Sequence, residues 1–391
     1  MVFYGALFLY CKIRSEPLVF SGILSVHAHG MHCFYCVSDT FSNNKVEGAE
    51  VTKMKPLLLH YYLTNRCNSK CIFCDIWSET PKVDAQEEDV LRNLYSARKN
   101  GCKFVDFTGG EPLLHKSLPV FLSEAKKLNF VTSVTTNCIL FKQRAHELDN
   151  LVDLLHFSID SDIPEQHNKL RGVESYTAVL ESIQTSKKYR LVPDLLFTYT
   201  NDNIDHVEGV YRLARENKLM LLLDPVFDPW TMDSISRATH EKALIFSKRP
   251  GVYLNRAHLA LRSSGGNHVR DSLCKAVDST IVILPDNTLA LPCFHHRSTL
   301  LPVNHSITEI LNSDPYKRER DRQGKYSFCE GCHINCYFDP SYNFLRNRLT
   351  ILSLRAKFKY SWTKYVVYRR PIPGNMIRFS ANKSGDRVNG I

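Results

Sequence analysis

The chain has 391 residues, of which 43% are apolar and 23% are charged. These proportions are those of an ordinary globular protein and exclude a chain that is disordered over most of its length. No apolar run approaches the ~18 residues that a membrane-spanning helix needs, which excludes a transmembrane protein. Thirteen cysteines without a convincing secretory signal indicate a reducing compartment, so we predict a cytoplasmic protein.

Residues 1–53 lack the periodic patterns of regular secondary structure, and Met54 would make a natural start for the fold that follows. Short clusters of histidine and cysteine occur in this segment, but in a poorly patterned stretch such clusters are usually chance. We assign no metal site to them. We predict that residues 1–53 are an N-terminal extension outside the native fold.

Residues 54–227 alternate between short apolar runs and helix-like stretches. The six runs that we predict as strands are residues 57–63, 103–107, 131–135, 151–159, 191–199 and 219–223. The helix-like stretches between them are residues 86–99, 118–127, 175–189 and 205–216. Strands that are apolar on both faces and are joined by helices form a parallel sheet, so we predict an α/β fold.

Two motifs follow the first two predicted strands. Cys67, Cys71 and Cys74 have the spacing C-x3-C-x2-C, and three thiolates in one loop can bind three irons of a cubic iron-sulfur cluster while the fourth iron stays open. The second motif, Thr-Gly-Gly-Glu-Pro at residues 108–112, follows the second strand. The alternative for the cysteines is a zinc site, which would need a fourth ligand and usually has two separated pairs of ligands.

In these two motifs and their spacing, the sequence resembles the radical SAM superfamily. The resemblance implies a partial (β/α)6 TIM-type barrel over residues 54–227, with a 4Fe-4S cluster on Cys67, Cys71 and Cys74. S-adenosylmethionine (SAM) would bind the open iron, and its reductive cleavage would give a 5′-deoxyadenosyl radical that abstracts hydrogen from a substrate. An electron donor of low potential, such as flavodoxin or ferredoxin, is an implied partner. The implied SAM-binding residues are Gly109, Gly110, Glu111, Ser158, Arg171 and Asn203.

Five further cysteines lie in residues 271–340, after residues 228–270, which we predict to be a partly helical linker. Two of the five bracket a strand-turn-strand pattern and three follow it, an arrangement that resembles the SPASM and twitch regions of radical SAM enzymes. The resemblance implies one auxiliary 4Fe-4S cluster, because no cysteine occurs after Cys336 to complete a second. The implied ligands are Cys274, Cys293, Cys329 and Cys332, with Cys336 as the alternative ligand.

The auxiliary region departs from the pattern it resembles at its hairpin turn. Asn287 stands where glycine is usual, which is tolerable because asparagine adopts positive φ more readily than most residues. Zinc is the alternative metal here, since it also accepts four thiolates. We favour an iron-sulfur cluster because zinc would be unusual beside a reductively driven cluster.

Residues 341–391 form a basic tail, with eleven lysines and arginines against the single Asp386, and they account for the whole formal net charge of +10. The tail is either a helix docked on the barrel of this chain, which we favour, or a basic amphipathic helix on the inner face of an anionic membrane. Apolar residues recur in it at approximately helical spacing. This tail stripe consists of Ile351, Leu354, Phe358, Trp362 and Tyr365.

These features together predict a radical SAM enzyme that acts on a peptide, a cofactor precursor, or a molecule linked to lipid or sugar. A tail on a membrane would favour a lipid-linked substrate. Two competing classes are a zinc-containing, cysteine-rich nucleic-acid-binding protein and an iron-sulfur electron-transfer protein without catalysis. Residues 1–340 carry no net formal charge, so we expect no nucleic-acid partner.

Overall fold

The structure, a computed structural model, describes residues 55–227 and 234–372. Residues 1–53, predicted to be an N-terminal extension, lie outside the described residues. The described part of the basic tail ends at Ile372 and includes the whole tail stripe.

Ten strands in the described residues form one sheet. They are β1 (Leu58–Thr64), β2 (Phe104–Gly109), β3 (Val131–Thr136), β4 (Leu154–Ser158), β5 (Pro193–Tyr199), β6 (Leu221–Pro225), β7 (Val252–Tyr253), β8 (Thr280–Ile283), β9 (Thr288–Leu291) and β10 (Thr299–Pro302). Their order across the sheet is β10-β9-β8-β1-β2-β3-β4-β5-β6-β7. Neighbours from β8 to β7 are parallel, whereas β9 and β10 are antiparallel additions at one edge.

All six predicted barrel strands are present, as β1 to β6, with ends within three residues of the predicted ones. The predicted α/β fold with a parallel sheet is therefore confirmed. β8 and β9 are the predicted strand-turn-strand pattern, and Asn287 in their turn has a φ of +62°. β8 pairs in parallel with β1, with Leu58 opposite Thr280, so residues 271–340 extend the sheet of the barrel itself.

Helices follow most of the parallel strands and cover the outer face of the sheet. The α-helices of the described residues are α1 (Glu87–Lys99), α2 (Leu118–Lys127), α3 (Phe141–Arg144), α4 (Pro164–Arg171), α5 (Tyr176–Ser186), α6 (Val207–Glu216), α7 (Arg237–Phe246), α8 (Arg256–Ser263), α9 (Ala276–Ser279), α10 (Ile307–Asn312), α11 (Asp314–Arg322), α12 (Asn335–Ser341) and α13 (Arg348–Ser361). The four predicted helical crossovers correspond to α1, α2, α5 and α6. The predicted linker contains α7, α8 and the short strand β7 between them.

The two faces of the sheet contribute to different cores. In β1, which is buried throughout, Leu59 and Tyr61 pack in the main core with the helices, whereas Leu58 belongs to a second cluster. This interior cluster lies inside the barrel, near the amino ends of the strands. Its residues in the strands, or directly before one in the case of Met220, are Leu58, Phe104, Val131, Leu154, Leu196, Met220, Leu222 and Tyr253.

The helix α13 and the π-helical segment after it, Trp362–Val367, pack against this end of the barrel. Tyr360 belongs to the interior cluster, and its hydroxyl donates to Oδ2 of Asp194 at 2.5 Å. Nζ of Lys364 donates to the same oxygen at 2.8 Å, and all three side chains are buried. The tail thus docks on the barrel of this chain, the alternative that the sequence favoured.

The docked face of α13 does not include Ile351 and Leu354 of the tail stripe, whereas Tyr365, after the helix, packs against the interior cluster. Ile351 and Leu354 are 54% and 48% exposed, whereas Ala356 and Tyr360 are buried against the barrel. The small side chain of Ala356 lets the helix approach the barrel closely. The amine of Lys357 lies 3.3 Å from the carboxylate of the buried Asp339. Apolar spacing alone therefore indicated the wrong face, because the docked face is held by ion pairs and hydrogen bonds to buried carboxylates.

Candidate cluster and cofactor site

A cavity of about 240 Å³ lies at the carboxyl ends of the barrel strands. Residues from the ends of β2 to β6 and from the loop after β1 line it. This position agrees with the general rule for parallel barrels, in which the strand ends converge at one face. The predicted site residues that the structure brings together here are Cys67, Cys71, Cys74, Gly109, Gly110, Glu111, Ser158 and Arg171.

The three cysteines of the loop after β1 are close enough to influence one another. The loop is held to the end of α4 by a hydrogen bond from the amide of Lys70 to the carbonyl of Arg171, at 3.0 Å. Burial, together with the charges on Glu111 and the other two cysteines, raises the pKa of Cys67 to about 12, and burial also raises the pKa of Cys74. A cationic metal cluster between the thiols would stabilise all three thiolates, so the donor set fits one.

The glycine motif packs directly on the cysteine loop. Gly109 has a φ of +141°, and a Cβ atom there would lie 2.2 Å from the carbonyl oxygen of Thr64. A Cβ on Gly110 would lie 2.1 Å from the carbonyl oxygen of Arg66. The amides of Gly110 and Glu111 donate to these same two oxygens, at 2.8 and 2.9 Å. Any side chain at Gly109 or Gly110 would therefore clash with the backbone of the cysteine loop. The two hydrogen bonds hold the two motifs in one position relative to each other.

Glu111 is the buried carboxylate of the cavity. Its Oε1 accepts hydrogen bonds from the hydroxyl of Thr136 at 2.8 Å and the amide of Leu113 at 3.1 Å, and its Oε2 accepts one from the amide of Asn137 at 2.9 Å. Burial outweighs these donors and raises the pKa of Glu111 to about 7. An amine in the cavity would find in Glu111 a fixed acceptor.

Arg171 is held between an acid and the cysteine loop. Its Nε lies 2.6 Å from Oδ2 of Asp160, and both side chains are buried. Its Nη1 lies 3.8 Å from Sγ of Cys71. Burial lowers the pKa of Arg171, but the charges of Asp160 and Cys71 outweigh burial and raise it. The guanidinium is thus charged and fixed in orientation at the edge of the predicted cluster site.

Asn203, predicted to bind SAM, is not among the residues that line the cavity. Its Oδ1 accepts from the amide of Thr200 at 2.7 Å, and its Nδ2 donates to the carbonyls of Thr198 and Asp160 at 2.9 and 3.1 Å. The side-chain amide is therefore engaged in shaping the loop after β5. Its position gives no support to the predicted contact with ribose, and Thr198 lines the cavity instead.

Several cavity residues were not predicted from the sequence. Asp224, the residue before the last of β6, accepts a hydrogen bond from Nδ2 of Asn335 at 2.8 Å, and burial raises its pKa to about 6. An acid at the carboxyl end of a predicted strand was a signal that could have identified it. Phe73 and Trp77 also line the cavity, but aromatic residues in a loop carry no comparable signal.

Four of the five C-terminal cysteines lie together. Burial and the charges of Cys332, Cys329 and Cys293 raise the pKa of Cys274. Burial and the charges of Cys332 and Cys329 likewise raise the pKa of Cys293, to about 12. Coulombic effects of this kind require short distances between the thiols. The group is the one that the resemblance implied as the auxiliary ligand set.

Asn267, which the sequence analysis missed, joins the loops that carry three of these cysteines. Its side chain is fully buried, and its Nδ2 donates to the carbonyl of Cys329 at 3.0 Å. Its Oδ1 accepts from the amide of Leu273, next to Cys274, at 3.1 Å, and its own amide donates to the carbonyl of Cys332 at 2.9 Å. A single asparagine therefore sets the spacing of the two cysteine-bearing segments.

Cys336 borders both sites, because it shares a buried cluster with Cys293, against which Cys274 and Cys332 pack. It lines the main cavity together with the three cysteines of the loop after β1. Burial and then the charges of Asp224 and Asp106 raise its pKa. Of the five C-terminal cysteines, Cys336 is thus the one that also lines the main cavity.

Two features are absent from the described residues. No helix within residues 55–227 and 234–372 is both long and apolar enough to cross a membrane. No three side chains of histidine, cysteine, aspartate or glutamate in these ranges are arranged to hold a single metal ion.

Residues 61–214 match the sequence model of the radical SAM superfamily. The match includes both motifs and the strand ends of β1 to β5 that surround the cavity. The chain contains a radical SAM domain. The predicted family is thereby confirmed, and so are the two cofactors that this domain uses, a 4Fe-4S cluster and SAM.

The radical SAM domain is similar to curated enzymes over part of their length. A probable GTP 3′,8-cyclase of Saccharolobus solfataricus is 33% identical over 138 residues, which are 34% of this chain and 45% of that protein. The GTP 3′,8-cyclase of Clostridium acetobutylicum is 29% identical over 168 residues, which are 40% of this chain and 52% of that protein. The chain thus spans about half the length of the curated relatives that it matches.

Solved structures extend the likeness of fold beyond the radical SAM domain. Streptococcus suis SuiB bound to S-adenosylmethionine has a TM-score of 0.57 and 18% identity, covering 76% of each chain. The enzyme anSMEcpe with bound AdoMet has a TM-score of 0.54 and 16% identity, covering 84% of this chain and 99% of that one. At these identities the likeness shows the fold alone.

Proposed function

We propose that this protein is a radical SAM enzyme that carries one auxiliary 4Fe-4S cluster. The observation that supports this most is that Cys67, Cys71 and Cys74 line one cavity with Glu111 and Arg171. The cavity therefore offers three thiolates beside an acid and a fixed cation, which suit the amino and carboxylate groups of SAM. With cluster and SAM bound, reductive cleavage would supply a 5′-deoxyadenosyl radical to a substrate held in the same cavity.

In this proposal the side chains of the chain bind and orient SAM. Glu111 accepts a hydrogen bond from the amino group, in the position where its carboxylate is already fixed by three donors. Arg171 and Ser158 contact the carboxylate or the ribose. Because Asp160 fixes the guanidinium of Arg171, little conformational freedom is lost when SAM binds.

A SAM cleavage assay tests the proposed activity. Protein reconstituted anaerobically with iron and sulfide, then reduced with dithionite, should convert SAM to 5′-deoxyadenosine, measured by chromatography. Addition of SAM should also change the electron paramagnetic resonance spectrum of the reduced cluster, even where cleavage awaits the substrate. A reconstituted protein that shows neither product nor spectral change, or that binds zinc in place of iron at Cys67, Cys71 and Cys74, would contradict the proposal.

For the auxiliary cluster we propose Cys274, Cys293, Cys329 and Cys332 as ligands, and we do not retain Cys336. Four thiolates complete the coordination of one cube, and Asn267 holds two of the segments that supply them. Fold likeness to SuiB and anSMEcpe over most of the chain also supports a C-terminal region of this kind.

Iron content should distinguish Cys274 from Cys336. We expect about eight irons per chain in the wild type, about four in Cys274→Ser, and about eight in Cys336→Ser, because only the first variant loses a cluster ligand. Colorimetric iron and sulfide assays after anaerobic gel filtration give the counts. The two serine variants are matched controls for each other, and an equal loss of iron from both would show that Cys336 is a ligand.

The raised pKa of Glu111 predicts a pH dependence of SAM binding. Between pH 8 and pH 6 the carboxyl passes through its pKa of about 7 and becomes protonated, so it no longer accepts from the amino group. The affinity for SAM should fall about tenfold over this interval, which follows from the change in the ionised fraction. Equilibrium dialysis at pH 6, 7 and 8 measures it.

Glu111→Gln provides the control for this measurement, because SAM has an amine that also titrates. The variant should bind SAM more weakly at pH 8 and should lose most of the dependence. A wild type and a glutamine variant with the same pH profile would show that Glu111 does not contact SAM.

The cavity favours a substrate without several phosphates. Among the described residues that line it, Arg171 is the one cation, and Asp160 already pairs with it. Asp224 adds an acid at the opposite strand end. Triphosphates are usually bound by several cations or by a helix amino terminus, so GTP, which the curated relatives are named for, suits this cavity poorly. We therefore propose a neutral or cationic group of a peptide, a cofactor precursor, or a lipid- or sugar-linked molecule, and we expect that GTP added to the cleavage assay leaves 5′-deoxyadenosine formation unchanged.

The proposed partners follow from this chemistry. Reductive cleavage needs an electron from a low-potential donor, and we propose flavodoxin or ferredoxin. Because this chemistry suits a reducing compartment, we propose that the protein is cytoplasmic. We propose no nucleic-acid partner, because the tail uses Lys357 and Lys364 in buried ion pairs. Peripheral contact with the inner membrane face also stays a proposal.

A further inference from the structure

The guanidinium of Arg171 contacts the cysteine loop at one of its predicted cluster ligands. Its Nη1 lies 3.8 Å from Sγ of Cys71, and its Cζ lies 5.4 Å from the centre of the Phe73 ring in the same loop. The side chain of Arg171 is only 8% exposed, so water screens its charge very little. A full positive charge therefore acts directly on one of the three cysteine sulfurs.

The cysteine loop is anchored to α4 by backbone contacts, without this side chain. The amide of Lys70 donates to the carbonyl of Arg171 at 3.0 Å, and the amide of Ile72 donates to the carbonyl of Leu170 at 3.1 Å. Gly172 follows the helix with a φ of +63°, and a Cβ atom there would lie 2.3 Å from the carbonyl oxygen of Lys70. Because the backbone holds the loop, the buried charge of Arg171 is left to act on the sulfur.

A second buried charge opposes that of Arg171. Oδ2 of Asp160 lies 2.6 Å from Nε of Arg171, and the side chain of Asp160 has no exposed surface. Its Oδ1 accepts a hydrogen bond from the amide of Thr198 at 3.0 Å, which fixes the carboxylate beside β5. His167 holds the same segment, because its Nδ1 accepts from the amide of Asp160 at 3.2 Å. Carboxylate and guanidinium thus form a neutral pair in a fixed position.

We propose that Asp160, acting through Arg171, sets the reduction potential of the cluster that Cys71 helps to bind. Nearby charge and hydrogen bonds to the sulfurs are among the factors that determine the potential of an iron-sulfur cluster. A cation beside Cys71 favours the reduced cluster, which carries one more negative charge, and so raises the potential. Asp160 offsets this effect and keeps the cluster a strong reductant. The inference rests on the proposed function, because it concerns the same cluster.

This role is distinct from the proposed contact between Arg171 and SAM. A contact with SAM has an effect only when SAM is bound, whereas a fixed charge beside Cys71 acts in the protein without SAM. The reduction potential measured in the absence of SAM therefore reports the effect of the pair on the cluster alone.

A redox titration of the full chain without SAM tests the proposal. Reconstituted protein is reduced stepwise with dithionite, and the clusters are followed by electron paramagnetic resonance. Asp160→Asn should make the SAM-binding cluster at least tenfold easier to reduce, a shift of about 59 mV to higher potential. The signal of this cluster is the one that SAM changes in a parallel sample. The auxiliary cluster is an internal control, and its potential should stay the same.

Further variants separate charge from a change of structure. The double variant Asp160→Asn and Arg171→Gln should return the potential toward the wild-type value, because the pair is again neutral. Asp153→Asn is the matched control and should keep the wild-type potential. Asp153 pairs with Lys126 at 2.6 Å, its side chain is 6% exposed, and it directly precedes β4, whereas Asp160 follows the other end of that strand.

Iron content shows which variants fold and can be compared. If Asp160→Asn loses its iron, Arg171→Gln gives the test, because loss of the cation and of its contact with sulfur should shift the potential downward. Equal potentials in wild type, Asp160→Asn and Arg171→Gln at equal iron content would overturn this inference alone. An equal shift in Asp153→Asn and Asp160→Asn would overturn it as well. A wild type without any reducible cluster would overturn both the inference and the proposed function.

Discussion

Replacing Cys71 by alanine should reduce SAM cleavage to the background rate. Cys71 is one of three thiols in the loop after β1, and the guanidinium of Arg171 lies 3.8 Å from its sulfur. With two thiolates in place of three, the loop should no longer hold a cube, so iron should fall from about eight to about four per chain. Anaerobic iron assay and 5′-deoxyadenosine chromatography measure both effects.

Two control variants separate this effect from a general loss of structure. Cys102→Ala removes a fully buried thiol in the main core and should keep both clusters and the cleavage activity. Cys274→Ser should lose the same amount of iron as Cys71→Ala, yet it should keep the spectral response of the remaining cluster to SAM. If Cys71→Ala still cleaves SAM, or if Cys102→Ala fails as completely, the assignment of the loop is wrong.

Replacing Lys364 by methionine should lower the free energy of unfolding by about 3–5 kcal/mol, because it leaves a buried carboxylate without its counter-ion. Lys364 and Asp194 are both buried, with 2.8 Å between Nζ and Oδ2. Tyr360 donates to the same oxygen and cannot by itself neutralise the charge. Anaerobic urea titration followed by fluorescence measures the change.

A compensating variant and a surface pair test the cause of this loss. The double variant Asp194→Asn and Lys364→Met should recover much of the stability, because no buried charge remains. Lys142→Met is the control, since Lys142 and Glu181 form an exposed pair that is worth at most about 1 kcal/mol. A loss for Lys364→Met as small as that for Lys142→Met would show that the tail does not depend on this ion pair.

The barrel and its metal loop could be predicted because their signals are local. Apolar runs and their spacing gave all six barrel strands within three residues. Cys67, Cys71 and Cys74 lie in eight consecutive residues, so chain connectivity alone keeps their thiols near one another. The glycines were predicted as well, but for a different reason, since they meet the carbonyls of Thr64 and Arg66.

Pairings between distant segments were not predictable in this way. Arg171 was a candidate, but its partner Asp160 became evident only when the strand end and the helix lay side by side. Cys336 was grouped with Cys332 because it is four residues away, whereas the start of α12 carries it into the wall of the main cavity. Asn267 gave no signal at all, because a buried asparagine that joins two loops looks like any polar loop residue.

Short stretches of the sequence were enough to predict the chemistry of this protein. The spacing of three cysteines and a Gly-Gly-Glu segment indicate a metal-binding loop, whatever the rest of the fold is. The orientation of the tail helix could not be predicted in this way, because either of two faces of α13 could have packed against the barrel. Hydrophobic spacing favours the face with Ile351 and Leu354. Packing in the folded chain instead buries the face whose tyrosine and lysines reach two buried carboxylates, one on strand β5 and one on helix α12. Asp194 lies 170 residues before Lys364 in the sequence, and Asp339 lies on the neighbouring helix α12, so only the folded chain brings both carboxylates within reach of the tail.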